Sequence, residues 1–88
     1  MARMEISTDK AELGAQTAMP DALFALGMLY ATGRDGETDL VAAHKWFNLA
    51  AARGNRSALI YRLELAREMS SEQIAEAQKL AREWLQTH

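Results

Sequence analysis

Two histidines, a short acidic loop and a pair of serines are the residues of this 88-residue chain whose types could support catalysis or metal binding. His44 stands between Ala43 and Lys45, and His88 is the last residue of the sequence. A metal site needs several converging ligands, and neither histidine has such neighbours along the chain. We therefore predict that both histidines are exposed, bind no metal and take no part in catalysis.

Residues 33–39, GRDGETD, combine three acidic residues with two glycines. They lack the ligand order of a calcium loop that ends in a bidentate glutamate, so we interpret them as a connection between helices. Ser70 and Ser71 suit the start of a helix, because serine caps helices and no base is identifiable beside them. The sequence holds no phosphate-binding loop, dinucleotide fingerprint or nucleophile elbow. We predict no enzyme activity, no cofactor and no metal site.

The composition narrows the class of protein further. Ten Lys and Arg residues oppose twelve Asp and Glu residues, for a formal net charge of −2, and 49% of the residues are hydrophobic. A nucleic-acid-binding domain of this size normally has a basic excess, so nucleic acid is not an expected partner. There is no cysteine, no apolar run near the ~20 residues of a membrane span and no secretory signal. We expect one small, soluble, cytoplasmic domain with no membrane partner.

Many alanines, leucines and long charged side chains, with a single proline, predict a helical chain. Residues 1–19 are predicted to be a short helix or a flexible segment. Four further helices are predicted, over residues 20–31, 40–53, 56–69 and from 71 towards the C-terminus. The third of these carries Leu59, Leu63 and Ala66 at helical spacing, an apolar stripe of the kind that faces a core. Ser70 or Ser71 is predicted to begin the last helix, and with Ser70 as the cap Gln73 lies where a capping box requires it.

Small and large apolar residues alternate through residues 22–54 at spacings that fit a helix–turn–helix unit. A small residue lets two helices approach, and an aromatic side chain from the opposite helix fills the space above it. Gly27 is interpreted as such a close crossing, near Trp46 and Ala50. The positions predicted to pack the unit are Ala22, Leu26, Gly27, Tyr30, Gly33, Ala43, Trp46, Phe47, Ala50, Ala51 and Gly54.

Residues 22–58 resemble a Sel-1-like repeat, a branch of the tetratricopeptide-like α-solenoids. They share with it an alanine, Leu-Gly, a tyrosine, a glycine-containing loop, an aspartate, a tryptophan, Ala-Ala and a glycine at fixed spacings, and an Ala-Leu pair recurs after 36 residues. The resemblance implies an all-α fold of antiparallel helical hairpins, a short α–α superhelix of four to five helices. We expect residues 20–57 to form a complete repeat unit and residues 58–88 a degenerate second unit that caps the stack.

The resemblance also implies a non-enzymatic protein–protein interaction module, a small adaptor or accessory subunit. Such a module binds a protein or peptide on the surface lined by the first helix of each hairpin. The side chains that face away from the packing positions of these helices are the expected contacts, here called the predicted partner surface: Asp21, Phe24, Met28, Ile60, Glu64 and Arg67.

Three alternatives stay open. In the first alternative, the N-terminal segment covers the predicted partner surface through Ile6 or Leu13. In the second alternative, the chain forms a homodimer through its fourth helix and the pair Trp84-Leu85. The least expected alternative is a small-ligand-binding or catalytic protein, which requires a pocket of convergent polar groups.

Overall fold

Four helices follow one another in the computed structural model, which describes residues 19–33 and 36–88. They are α1 (Pro20–Thr32), α2 (Leu40–Ala52), α3 (Arg56–Ala66) and α4 (Ser71–Thr87). Within the described residues the fold is all-α, which confirms the predicted class. The helix or flexible segment expected over residues 1–19 lies, apart from Met19, outside the described residues. No helix in the described part of the chain combines the length and the apolar content that crossing a membrane would require.

Three of the helices have an N-terminal residue whose side chain caps the helix. Asp39 at the start of α2 and Asn55 at the start of α3 each accept a hydrogen bond from the backbone N–H three residues later, at 3.0 and 2.9 Å. Ser70 accepts from the N–H of Gln73 at 3.0 Å, and the Gln73 side chain accepts from the N–H of Ser70 at 2.9 Å. These bonds satisfy amides that a helix leaves free at its N-terminus, and they confirm the predicted capping box.

The end of α3 differs from the prediction. The helix stops at Ala66 instead of residue 69. The amides of Arg67, Glu68 and Met69 bond to the carbonyls three residues earlier, at 3.2, 3.0 and 3.1 Å. This tighter, 3₁₀-like turn ends the α-helix and carries the Met69 side chain into a buried position.

Helix α2 is the centre of the fold. The extensive helix–helix contacts among the described residues all involve it, with α1, α3 and α4 each packed against a different part of its surface. It contributes more core residues than any other described helix. The buried apolar core comprises Leu23, Leu26, Ala43, Phe47, Leu49, Ala50, Ala58, Met69, Ala77 and Ala81.

At Gly27 the backbone of α1 lies directly against a side chain of α2, so the close contact predicted there is present. The side chain that makes it is Phe47 and not Trp46. A Cβ atom on residue 27 would overlap the Cδ1 and Cε1 atoms of the Phe47 ring. Glycine therefore allows an aromatic ring to lie directly against the α1 backbone.

The positions predicted to pack the repeat unit fall into three groups by burial. Leu26, Gly27, Ala43, Phe47 and Ala50 are buried; Ala22, Gly33, Trp46 and Ala51 are half-buried; Tyr30 and Gly54 are exposed. Tyr30 lies on the outer side of the last turn of α1. Gly54 has φ +110°, and a Cβ atom on it would meet nothing within 4 Å, so the backbone conformation of the turn, and not helix packing, calls for glycine there.

Substitution of Gly27 by alanine tests the contact with Phe47. The added methyl group gains about 1 kcal/mol in helix propensity, but it overlaps a ring that is itself fully buried. We expect the unfolding free energy, measured by urea denaturation, to fall by about 1–3 kcal/mol.

A double-mutant cycle with Phe47→Leu isolates this contact. In the Phe47→Leu background the ring carbons are gone, so Gly27→Ala should cost less than it does in the wild type. Equal costs in the two backgrounds would show that Phe47 is not the reason for the glycine.

Candidate interaction surface

Helix α3 exposes large apolar side chains on the side that faces away from α2. Ile60 and Leu63 are 59% and 55% exposed, and Leu59 is 42% exposed. Ala58 is the buried residue of this helix. The prediction that Leu59 and Leu63 belong to a core-facing stripe is therefore wrong. The reason is that the side of α3 with Ala58 and Leu65 packs against the core, so Leu59 and Leu63 lie outside that contact.

The exposed residues of α3 form a regular stripe. Arg56, Ile60, Leu63 and Arg67 are spaced i, i+4, i+7 and i+11, so they follow one line along the helix. Leu59 lies beside Leu63, one turn earlier. These five residues, called here the outer α3 face, have an aliphatic centre and an arginine at each end.

Polar and aromatic contacts fix the opposite side of α3. Arg62 Nη1 donates to Asn48 Oδ1 on α2 at 2.8 Å. The Tyr61 ring stacks on Phe47 at a centroid distance of 5.7 Å and an interplanar angle of 20°. It also meets Phe24 of α1 at 5.4 Å. These contacts hold α3 in one orientation, so the outer α3 face is presented on a fixed helix.

A hydrogen bond between side chains joins the N-terminal ends of α1 and α3. Asn55, which caps α3, donates through Nδ2 to Asp21 Oδ1 at 3.1 Å. The carboxylate of Asp21 is exposed, but this bond gives it a structural partner within the chain.

The structure divides the predicted partner surface into two parts. Ile60, Glu64 and Arg67 are exposed on α3, and Asp21 is exposed at the start of α1. Phe24 and Met28 are half-buried against the core. The Phe24 ring lies 5.7 Å from Phe47 as well as 5.4 Å from Tyr61, so much of its surface is used in packing.

Sequence reasoning missed Arg56, Leu59 and Leu63 as surface residues. A signal was available: large apolar residues occur all round α3, at positions 59, 60, 61, 63 and 65. A helix of this kind needs partners on more than one side.

A shallow depression borders the outer α3 face at the junction of α2 and α3. Its volume is about 350 Å³, and Asn48, Asn55, Arg56, Leu59 and Arg62 are among the residues that line it. Sequence patterns could not indicate it, because its walls come from two helices and a turn. Within the described residues, no three His, Asp or Glu side chains are grouped closely enough to hold a metal ion.

His44 is buried, with 3% of its surface exposed, so the prediction of an exposed histidine is wrong for this residue. His88 is exposed as predicted. Helix α2 packs against three neighbours, and more of its circumference is covered than in an ordinary amphipathic helix. Burial lowers the pKa of His44, and the positive charge of Arg62 lowers it further. Both effects favour the neutral imidazole.

The apolar residues near the end of α4 are only partly available to a partner. The Trp84 ring packs edge to face against Trp46, with centroids 5.8 Å apart and planes at 79°. Lys45 Nζ lies 4.2 Å from the centroid of the Trp46 ring. Leu85 is 43% exposed. The dimer predicted through Trp84 and Leu85 would therefore use mainly the leucine.

Comparison with known families finds one match. Residues 20–55 match the Sel1 repeat family. The matched segment contains α1, the connection and α2, and it ends at the asparagine that caps α3. Comparison with curated proteins and with solved structures gave no match.

Burial of neutral His44 predicts a pH-dependent stability. The pKa of His44 in the folded chain lies below its ordinary value of 6.5, which applies to the unfolded chain. As the pH falls, the unfolded chain binds a proton first, so the contribution of His44 is fully present above 6.5 and is lost at lower pH. We expect the unfolding free energy to decrease between about pH 7 and pH 5.

Two variants test whether His44 causes this pH dependence of the unfolding free energy. His44→Leu should show a smaller decrease over this pH range than the wild type, and His88→Gln should keep the full decrease. The assignment to His44 fails if His44→Leu and the wild type have the same pH dependence.

Proposed function

We propose that this chain, whose residues 20–55 match the Sel1 repeat family, is a small adaptor or accessory subunit that binds another protein. Helices α1 and α3 form the binding side. No catalytic step is part of this function. We place the module in the cytoplasm, and the absence of cysteine from the sequence is consistent with that compartment.

The observation that carries the proposal is the exposure of Leu59, Ile60 and Leu63 on one side of α3. Single exposed apolar residues are common on protein surfaces, but contiguous apolar patches mark interaction sites. These three side chains are adjacent, and the helix that carries them is held by the Arg62–Asn48 bond and the aromatic contacts. A rigid apolar patch of this kind loses little conformational freedom on binding.

The polar residues around the patch complete the proposed contact region. Glu64 and Arg67 on α3 flank the aliphatic residues, and Asp21 marks the near end of α1. Phe24 and Met28 contribute the parts of their side chains that the core leaves accessible. A region of this size suits a weak or transient contact better than a permanent one.

Self-association through α4 is the second candidate, and the exposure of Leu85 is what favours it. Trp84 adds less apolar surface, since its ring packs against Trp46. Light scattering separates the candidates, because a monomer of 9.8 kDa at all concentrations excludes the dimer.

Serine substitutions on α3 test the proposed surface. We expect the combined variant Ile60→Ser and Leu63→Ser to lose the proteins that the tagged wild-type chain captures from cells, because it removes the aliphatic centre of the contact. Both positions are exposed, so the unfolding free energy should change by only about 1 kcal/mol, chiefly through helix propensity.

Leu85→Ser is the matched control, since it removes a similarly exposed leucine from α4. It should leave capture unchanged. If Leu85→Ser abolishes capture and the α3 variant does not, the binding surface lies on α4 and the proposal for α3 is incorrect.

A further inference from the structure

We propose that the outer α3 face binds an acidic amphipathic helix of another protein. Aliphatic side chains of that helix would contact Leu59, Ile60 and Leu63, and its carboxylates would lie beside Arg56 and Arg67. This inference rests on the proposed function and adds to it the chemistry of the partner.

The shape of the outer α3 face favours a helix as the partner. Its residues form a ridge along one side of an α-helix, with no exposed strand edge to pair with an extended peptide in the described part of the chain. Ridges of this spacing pack against the grooves of a second helix. An amphipathic helix with apolar residues at the same i, i+4 and i+7 spacing would cover Ile60 and Leu63 together.

The charge of this region favours an acidic partner. Residues 56–68 contain three arginines and two glutamates and so have a net charge of +1, although the whole chain has a net charge of −2. Arg56 and Arg67 bound the aliphatic centre at its two ends, and both are exposed. Arg56 and Arg62 also line the depression beside Leu59. Carboxylates on both flanks of a partner helix would complement these cations.

The arginines at the two ends of the outer α3 face disfavour binding of a second copy of the chain there. If two α3 helices paired in antiparallel orientation about their midpoints, Arg56 of one copy would lie beside Arg67 of the other. Parallel pairing would place each arginine beside its own counterpart. Like charges would meet in both cases. In addition, an 11-residue helix is about 16 Å long, too short to bury the ~800 Å² per partner of a stable dimer by itself.

Two designed peptides test the charge of the partner with the full chain. Both have about 18 residues, a length at which helix formation in water is practical, and both carry leucines at i, i+4, i+7 and i+11. One has glutamates on the two flanks of the leucine stripe, and the other has lysines at the same positions. By fluorescence anisotropy we expect the glutamate peptide to bind about tenfold more tightly, with an affinity that falls as salt is added.

Charge reversal on the protein provides the reciprocal measurement. The variant Arg56→Glu with Arg67→Glu should bind the glutamate peptide about threefold to tenfold more weakly and should gain affinity for the lysine peptide. The control variant Arg53→Glu with Arg82→Glu makes the same change in net charge at exposed positions outside the outer α3 face. It should keep the preference for the glutamate peptide.

Several results overturn the inference. They are no binding of either peptide, equal binding of both, or an unchanged preference in the Arg56→Glu and Arg67→Glu variant. A dimer that forms with increasing concentration, and that Ile60→Ser with Leu63→Ser abolishes, identifies a second copy as the occupant. Tighter binding of the glutamate peptide by the full chain carrying Ile6→Ser and Leu13→Ser identifies the N-terminal segment as the occupant.

Failure of this inference is distinct from failure of the proposed function. If Ile60→Ser with Leu63→Ser loses the captured proteins while the two peptides bind equally, α3 is an interaction surface without a preference for acidic helices. If that variant captures the same proteins as the wild type, the surface itself is misplaced.

Discussion

The contact between the Phe47 ring and the backbone at Gly27 is the constraint on which the other contacts of this fold depend. It brings α1 against α2 more closely than any side chain at residue 27 would permit. The same ring meets Phe24 on α1 and Tyr61 on α3. One buried side chain of the central helix therefore touches both α1 and α3. Aromatic rings in such offset arrangements add directional preference to their large buried area, so Phe47 sets orientation as well as separation.

The orientation of α3 follows from that contact. Tyr61 must stack on Phe47, Ala58 must lie at the approach to α2, and Arg62 must reach Asn48. These three contacts lie on one side of the helix. The residues of the outer α3 face lie on the other side and remain outside the core. The outer α3 face is thus a consequence of how the core is assembled. Its leucines are as apolar as those of the core, and only their position on the helix separates the two groups.

Features that depend on residues close in the sequence could be predicted. Features that depend on how the helices pack together could not. A capping residue such as Ser70 acts on an amide three positions away, so it locates the start of α4 correctly. The spacing of alanines, glycines and aromatics identified the repeat for a similar reason. The burial of His44 depends on three helices surrounding α2, and the exposure of Leu59 and Leu63 depends on which side of α3 meets Phe47. Large apolar residues all round α3 indicate that it needs more than one partner, but which of them are buried depends on how the helices pack.

The path of α4 explains why the apolar side of α3 remains open. In a stack of helical hairpins, each unit buries its apolar surface against its neighbours. Here the connection from Ala66 to Ser71 is short, and α4 then packs against α2. Ala81 of α4 belongs to the same core cluster as Leu49 and Ala50, while Trp84 reaches Trp46. Since α2 can hold α1, α3 and α4 at once, α4 is stabilised without covering α3. Within the described residues, the apolar surface that another helix of a longer stack would bury is therefore left exposed.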